Sequence, residues 1–313
     1  MMKVTILCGG VSAERDVSLA SGNAVNQALL SQGFQTQLLD TGSLFIEDLR
    51  VFHPDVVFIA LHGRMGEDGT IQGLLEVLGY PYVGSGILTS AIAIDKRTTK
   101  RILLTEHLPL AKDYVLKRTD PAPDRALAQQ LGETIGFPYI IKPNREGSTI
   151  GLSLAHTVEE AVKGMNEALQ YDDEVLIEEY IEGTEVTAVV IGDAYAPDVL
   201  GVIEIIPKAV LYDYESKYSQ GGSEHIIPAR IGQDRLQEVE NYAKSAYRTL
   251  GCTDYARVDF IVSKTGPIIL EVNTLPGMTA TSLVPDAAKA RGISFEDFLV
   301  QMVNRCYARN KKK

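Results

Sequence analysis

Tyr255-Ala256-Arg257-Val258-Asp259-Phe260-Ile261-Val262 and Ile268-Ile269-Leu270-Glu271-Val272-Asn273 flank the segment Ser263-Lys264-Thr265-Gly266-Pro267. Both flanks alternate as strands do, and the middle has turn composition. Side chains on a strand alternate between its faces. Tyr255, Arg257 and Asp259 therefore share one face, and so do Ile269, Glu271 and Asn273. A turn centred on Thr265 sets Asp259 opposite Glu271 and Arg257 opposite Asn273, with Cβ atoms about 5 Å apart. Two facing carboxylates repel unless something neutralises them. A hard divalent cation, held by Asp259, Glu271 and the Asn273 carbonyl, is the natural partner. Magnesium keeps waters and recruits substrate phosphates, so the face suggests a nucleotide-phosphate site. Taken alone, the hairpin fits a solvated polar face with a salt-bridged Arg257 equally well.

Outward from the hairpin, Thr274-Leu275-Pro276-Gly277-Met278-Thr279 follows at once. Gly277 allows close backbone approach, so its N–H could face a ligand oxygen. A plain turn explains the same residues. Lys142 ends an apolar strand before the polar loop Arg145-Glu146-Gly147-Ser148-Thr149, and Lys96 follows Asp95 at a helix start. Neither lysine sits in a Walker P-loop, and no G-x-G-x-x-G follows the first strand. The loop could wrap phosphates with its N–H groups, or be a generic turn. Glu14 and His62 follow the first and third strands, at the strand ends where α/β sheets bind ligands. Glu14 suits a substrate ammonium, and equally a stabilising helix N-terminus. A lone histidine such as His62 is more often structural.

Strands and helices alternate over residues 1–95, which predicts a parallel α/β domain. Residues 96–180 read as an α+β unit, and 181–313 as a second one. The spacing predicts helices over 18–31, 71–78, 96–107, 125–135, 158–169, 234–250 and 295–305. The stretch 212–230 is long, polar and aperiodic, the pattern of a functional lid or a disordered loop.

Lys and Arg number 30 against 41 Asp and Glu, a net charge of −11. That balance disfavours nucleic acid and anionic membrane surfaces as partners. No apolar run approaches the ~18 residues that would span a bilayer. The three cysteines, Cys8, Cys252 and Cys306, are odd in number and far apart. They form neither a disulfide framework nor a C-x-x-C pair, which fits a reduced, cytoplasmic setting.

Taken in order, the short motifs are far more specific than any one of them. They are Gly9-Gly10 with Ser12, Glu14 and Arg15; Leu61-His62-Gly63 before Gly66-Glu67-Asp68-Gly69; Asp95-Lys96; Lys142-Pro143 with Glu146-Gly147-Ser148; Glu178 to Glu185; Tyr212-Asp213-Tyr214 with Lys217-Tyr218; Arg257 with Asp259; Glu271 with Asn273; and Leu275 to Thr279. Over nearly the whole chain this closely resembles the D-alanine–D-alanine ligase family of ATP-grasp enzymes.

The resemblance implies an ATP-grasp fold in which ATP lies between the central and C-terminal domains. Lys96 and Lys142 would contact its phosphates and adenine side, Glu178-Glu179-Tyr180-Ile181 the adenine, and Glu185 the ribose. Two Mg²⁺ ions, replaceable by Mn²⁺, would sit on Asp259, Glu271 and Asn273. Glu14 would bind the first D-alanine's ammonium, linked to Ser148 and Tyr218, with His62 close by. Arg257 and the Gly277 N–H would form an oxyanion hole. Ser282 and Leu283 would receive the second D-alanine's carboxylate, and Lys217 would reach the transferred phosphoryl group. The implied reaction makes D-alanyl-D-alanine for peptidoglycan through an acyl phosphate, in a homodimer. Tyr218 favours an amine over a hydroxyl acceptor. His225 has no role in the resemblance. A ligase using another acceptor, such as D-serine, or a non-catalytic nucleotide-binding module, are the competing readings.

Overall fold

The computed structural model describes residues 1–207, 223–279 and 281–311; Lys217 and Tyr218 lie outside the described residues. Three sheets organise the chain. The first is parallel, in the order β2-β1-β3-β4, from β1 (Lys3–Cys8), β2 (Gln35–Asp40), β3 (Val56–Ile59) and β4 (Tyr82–Val83). Every residue of β3, Val-Val-Phe-Ile, is buried, as expected of a parallel strand covered on both sides. Helices α1 (Arg15–Ser31), α2 (Ile46–Phe52), α3 (Thr70–Leu78) and α4 (Ile87–Ile94) alternate with or follow these strands.

The second sheet is antiparallel, β5-β8-β6-β7. Its strands are β5 (Asp113–Lys117), β6 (Tyr139–Pro143), β7 (Ser153–Ala155) and β8 (Glu174–Glu179). Helices α6 (Arg125–Thr134) and α7 (Val158–Ala168) share its apolar core. Ahead of it runs α5 (Lys96–Thr105), whose N-cap Asp95 accepts from the Thr98 N–H and sets Lys96 in the first turn. Leu103 of α5 packs with the core of the third sheet.

That third sheet is antiparallel, β11-β10-β9-β12-β13. It comprises β9 (Thr184–Gly192), β10 (Asp198–Pro207), β11 (Ser223–Ile226), β12 (Asp254–Val262) and β13 (Pro267–Asn273). Helix α8 (Gln233–Leu250) covers one face. Then come α9 (Leu283–Ala290) and α10 (Phe295–Asn310). Phe298, Leu299, Met302 and Val303 of α10 join Val4, Ile6, Val25 and Phe58 in one core. The last helix thus covers the first sheet. The short elements α2, α4, α9 and β11 have too few residues to announce themselves by periodicity.

Asp254 ties these layers together. It is buried, its backbone lies in the left-handed region at φ 65°, and its carboxylate accepts from the Gly84 N–H (2.8 Å) beside β4. Arg309 of α10 donates to both of its oxygens, at 2.7 and 3.0 Å. The start of β12, three residues before Arg257, is thereby pinned to the edge of the first sheet.

The expected register holds where it matters. Asp259 faces Glu271 and Arg257 faces Asn273. The reason differs from a simple turn at Thr265, because Val262 pairs with Pro267 and the ladder then slips between Asp259 and Phe260. Leu270 is the extra residue, a β-bulge. It also corrects the expected face of Ile269. That side chain is buried in the same core as Val272, whereas Leu270 and Glu271 both face a cavity.

All three cysteines are buried and free. Burial pushes their thiols up, to about 11 at Cys8 and about 12 at Cys252 and Cys306, which makes them poor nucleophiles. Among the described residues no helix is long and apolar enough to cross a membrane.

Candidate active site

Glu14 is the N-cap of α1, yet its side chain makes no cap hydrogen bond. The carboxylate turns instead to Ser148, whose hydroxyl donates to it. Ser148 and Thr149 have φ of 49° and 66°, a left-handed conformation that costs about 1–2 kcal/mol per residue without glycine. Glycine serves the same contact from two sides. A Cβ on Gly63 or on Gly147 would come within 3.2 Å of Glu14 Oε2.

His62 lies buried beside this carboxylate, with Nε2 3.5 Å from Ser21 Oγ. Burial holds its imidazole below the usual histidine range, with Glu14 opposing the shift. Glu67 is buried too, and accepts from the Gly63 N–H at 2.9 Å. Burial first, then the charge of Glu14, pushes its carboxyl up to about 8.

Between the second and third sheets lies a cavity of about 420 Å³, lined by Lys96, Lys142, Glu178, Glu179, Tyr180, Ile181 and Glu185 among others. Its walls mix these groups with Ile140, Leu152, Ile261 and Leu270, the apolar-plus-few-polar character of a small-molecule site. Lys96 donates to the Glu146 carbonyl (2.7 Å) and lies 3.5 Å from Glu271. Glu178 is held between two ammonium groups, Lys142 and Lys100, each at 2.5 Å. Loss of water works against charge on Glu178. The two lysines outweigh it and hold the carboxyl below its usual range. Loss of water likewise opposes charge on Lys142, and Glu178 and Glu271 outweigh it and raise that ammonium. The pair is therefore ionised inside the cavity.

A smaller cavity of about 80 Å³ adjoins the first. Glu14, His62, Arg257, Asn273, Gly277, Ser282 and Leu283 line it. Ser148, Gly147 and Glu271 line both. A Cβ on Gly277 would meet Ser282 Oγ at 2.9 Å, so glycine is what lets this loop close on the start of α9. Ser282 Oγ accepts from the Thr279 N–H at 3.0 Å.

Asp259 lines neither cavity. It is buried, takes Nε and Nη2 of Arg257 at 2.8 Å each, and takes the Thr187 hydroxyl at 2.5 Å. It thus orients the Arg257 guanidinium. For a metal, the donor set is two carboxylates opposed in register and one amide oxygen two residues along. Among the described residues no three His, Cys, Asp or Glu gather closely enough to hold an ion alone. Hard oxygens at the junction of the cavities fit Mg²⁺. Lys96 on Glu271 and Arg257 on Asp259 balance the same carboxylates here.

The structure therefore brings together, around two joined cavities, every sequence-predicted site residue within the described set; Asp259 sits just behind. Three site residues escaped the sequence reading. Lys100 lies four residues after Lys96 on one helix, a spacing that puts both on one face. Thr187 lies in a strand opposite Asp259, a pairing invisible before β9 and β12 are known to be neighbours. Glu67 stood inside a quoted motif, without a signal that it would be buried.

Two antiparallel sheets closing on a nucleotide-sized cavity, with lysines on its walls and Glu271 where it joins a second pocket, define an ATP-grasp ligase. The chain belongs to the D-alanine–D-alanine ligase family. Residues 102–304 match the family model "D-ala D-ala ligase C-terminus" and residues 42–85 match "D-ala D-ala ligase N-terminus". The D-alanine–D-alanine ligase of Carboxydothermus hydrogenoformans is 48% identical over 305 residues, 96% of this chain and 97% of that one. That of Halalkalibacterium halodurans is also 48% identical over 305 residues, covering 97% and 98%. Among solved structures, the Bacillus anthracis D-alanine–D-alanine ligase complexed with ATP superposes with a TM-score of 0.84 at 32% identity, over 100% of this chain and 99% of that one.

Proposed function

We propose that this chain joins two molecules of D-alanine into D-alanyl-D-alanine with hydrolysis of ATP to ADP and phosphate, for peptidoglycan precursor synthesis. The carrying observation is the junction of the two cavities at Glu271, Gly147 and Ser148. In this reading the phosphate end of a nucleotide in the larger cavity would meet an amino acid in the smaller one, and the shared lining supports that arrangement.

In this reading the chain has three domains, 1–95, 96–180 and 181–313, and ATP lies between the last two. Glu178 to Ile181 take the adenine, Glu185 the ribose, and Lys96 and Lys142 the phosphates and adenine side. Two Mg²⁺ ions, or Mn²⁺, held by Asp259, Glu271 and Asn273, would neutralise the phosphates during transfer. Glu14, with Ser148, holds the ammonium of the first D-alanine, and His62 packs beside it. Lys217 and Tyr218 belong to the same reading, as phosphoryl contact and third member of the Glu14–Ser148 link.

A carboxylate oxygen of the first D-alanine attacks the γ-phosphorus, the bond to the bridging oxygen breaks, and ADP leaves. The amine of the second D-alanine, having lost a proton, attacks the acyl carbon. Arg257 and the Gly277 N–H then face the oxyanion, each donor worth about 3 kcal/mol. The C–O bond to phosphate breaks and phosphate leaves. Ser282 and Leu283 hold the acceptor's carboxylate throughout. We further propose a homodimer acting in the cytoplasm.

The test is phosphate release from ATP and Mg²⁺ with D-alanine alone, then with D-serine or D-lactate added, the products identified by mass spectrometry. D-alanyl-D-alanine with stoichiometric phosphate supports the reading. A product formed only with another acceptor moves the substrate assignment, and ATP binding without phosphate release defeats catalysis.

A further inference from the structure

His225 lines the small cavity beside Ser282 and Leu283, and no role above uses it. It comes from β11, opposite Ile205 of β10. Its Nδ1 lies 2.7 Å from Asp286 Oδ2. Asp286 occupies the first turn of α9, whose N-cap is Ser282, and its own N–H donates to the Ser282 carbonyl at 3.2 Å. One carboxylate thus stands a single turn behind the helix start assigned to the acceptor's carboxylate.

Charge makes that placement matter. A negative group in a first helical turn favours the helix, because it satisfies the positive end of the dipole. It also opposes any second anion brought to that end. The small cavity already carries Glu14 and Glu271, against Arg257 as its only guanidinium among the described residues and Lys96 beside Glu271. An uncompensated Asp286 would add a further negative charge close to where a substrate carboxylate must sit.

We infer that His225 is a positioning residue for acceptor binding: by donating to Asp286 it offsets the charge behind Ser282 and Leu283, and so keeps that helix start receptive to a carboxylate. The chemistry selected is an acceptor carrying a carboxylate, an amino acid or hydroxy acid rather than a simple amine. The inference rests on the proposed assignment of Ser282 and Leu283 to the acceptor.

A charge-removal cycle tests it. Initial rates over a range of D-alanine, at saturating ATP and Mg²⁺, give one constant for each of the two D-alanine sites. His225→Ala is expected to raise the acceptor constant about two- to fivefold, the usual scale of a helix-terminus charge effect. The donor constant, the KM for ATP and the unfolding midpoint stay near wild type. Asp286→Asn alone leaves the acceptor constant at or below wild type. The double variant His225→Ala/Asp286→Asn returns it to near wild type, because the charge needing a partner is gone.

A purely structural clip predicts the opposite pattern: Asp286→Asn as harmful as His225→Ala, and the double variant no better. That pattern overturns the inference, as does an unchanged acceptor constant in His225→Ala. Should that variant not fold, His225→Phe, which keeps a ring but has no donor, carries the same cycle. Ser282→Ala serves as the separate control. If it leaves the acceptor constant unchanged, the assignment of the acceptor site itself falls, whatever His225 does.

Discussion

The Ser148 hydroxyl donates a hydrogen bond to the Glu14 carboxylate across 134 residues of sequence. It joins the loop after β6 to the head of α1, and the first sheet to the second. Ser148→Ala removes one hydrogen bond to a charged group, worth about 1.5–3 kcal/mol. The expected outcome is a thermal midpoint lowered by a few degrees and a fall in kcat/KM for D-alanine of about ten- to hundredfold. Steady-state rates beside a thermal melt decide it; undiminished kcat/KM would show that the link is idle in turnover.

Lys100 tests the electrostatics of the nucleotide cavity without lining it. Its ammonium is buried and meets Glu178, Asp113 (2.9 Å) and the Ala111 carbonyl (2.9 Å). Lys100→Met leaves a buried carboxylate with half its compensation, which destabilises by about 3–5 kcal/mol. Glu178 then leans on Lys142 alone, and KM for ATP rises while the D-alanine constants hold. Denaturant unfolding and ATP titration read the two effects separately. A stable variant with unaltered ATP KM would contradict the account of Glu178.

At Gly277, a methyl group would meet Ser282 Oγ at 2.9 Å. Gly277→Ala must push the loop away from the start of α9. Overpacking of this kind costs about 1–3 kcal/mol of stability. In the proposed mechanism the larger effect falls on turnover, because the Gly277 N–H would be moved off the oxyanion: a drop of about a hundredfold in kcat. Measured kcat close to wild type would remove Gly277 from the oxyanion hole.

Glu67 gives a pH dependence with a definite sign. Its carboxyl is raised from the usual 4.5 to about 8, by burial first and by Glu14 next, with Lys96 opposing. The folded state therefore holds the proton more firmly than the unfolded one. Its contribution to stability is complete below about pH 4.5 and is lost as pH rises through about 8. Thermal melts of ligand-free protein across that window should show Glu67→Gln gaining on wild type as pH rises, by several degrees at the alkaline end. Parallel curves for the two proteins would show that Glu67 ionises freely.

Much of this was legible in the residues. The alternation around Asp259 and Glu271 gave both strands and their register, and the order of short motifs gave the family. What escaped has physical reasons. The bulge at Leu270 shows only in the pairing of β12 with β13, and a two-residue period cannot show which residue is extra. The left-handed backbone of Asp254 is held by Gly84 and Arg309, partners distant in sequence. Lys100 looked like any helix-surface lysine until β5 and β8 were folded over it. Burial of a charge is a property of what lies above it, and local sequence does not report that.

The covering of the first sheet by α10 has a consequence for how the chain is made. On the ribosome, β1 to β4 and α1 emerge well before Phe298, Leu299, Met302 and Val303, which complete their core. The early segment must wait with an apolar face exposed to water, the condition in which nascent chains aggregate or recruit chaperones. Packing of the first sheet thus follows synthesis of α10. A chain stopped short of α10 is expected to lose the first sheet's packing along with the helix itself.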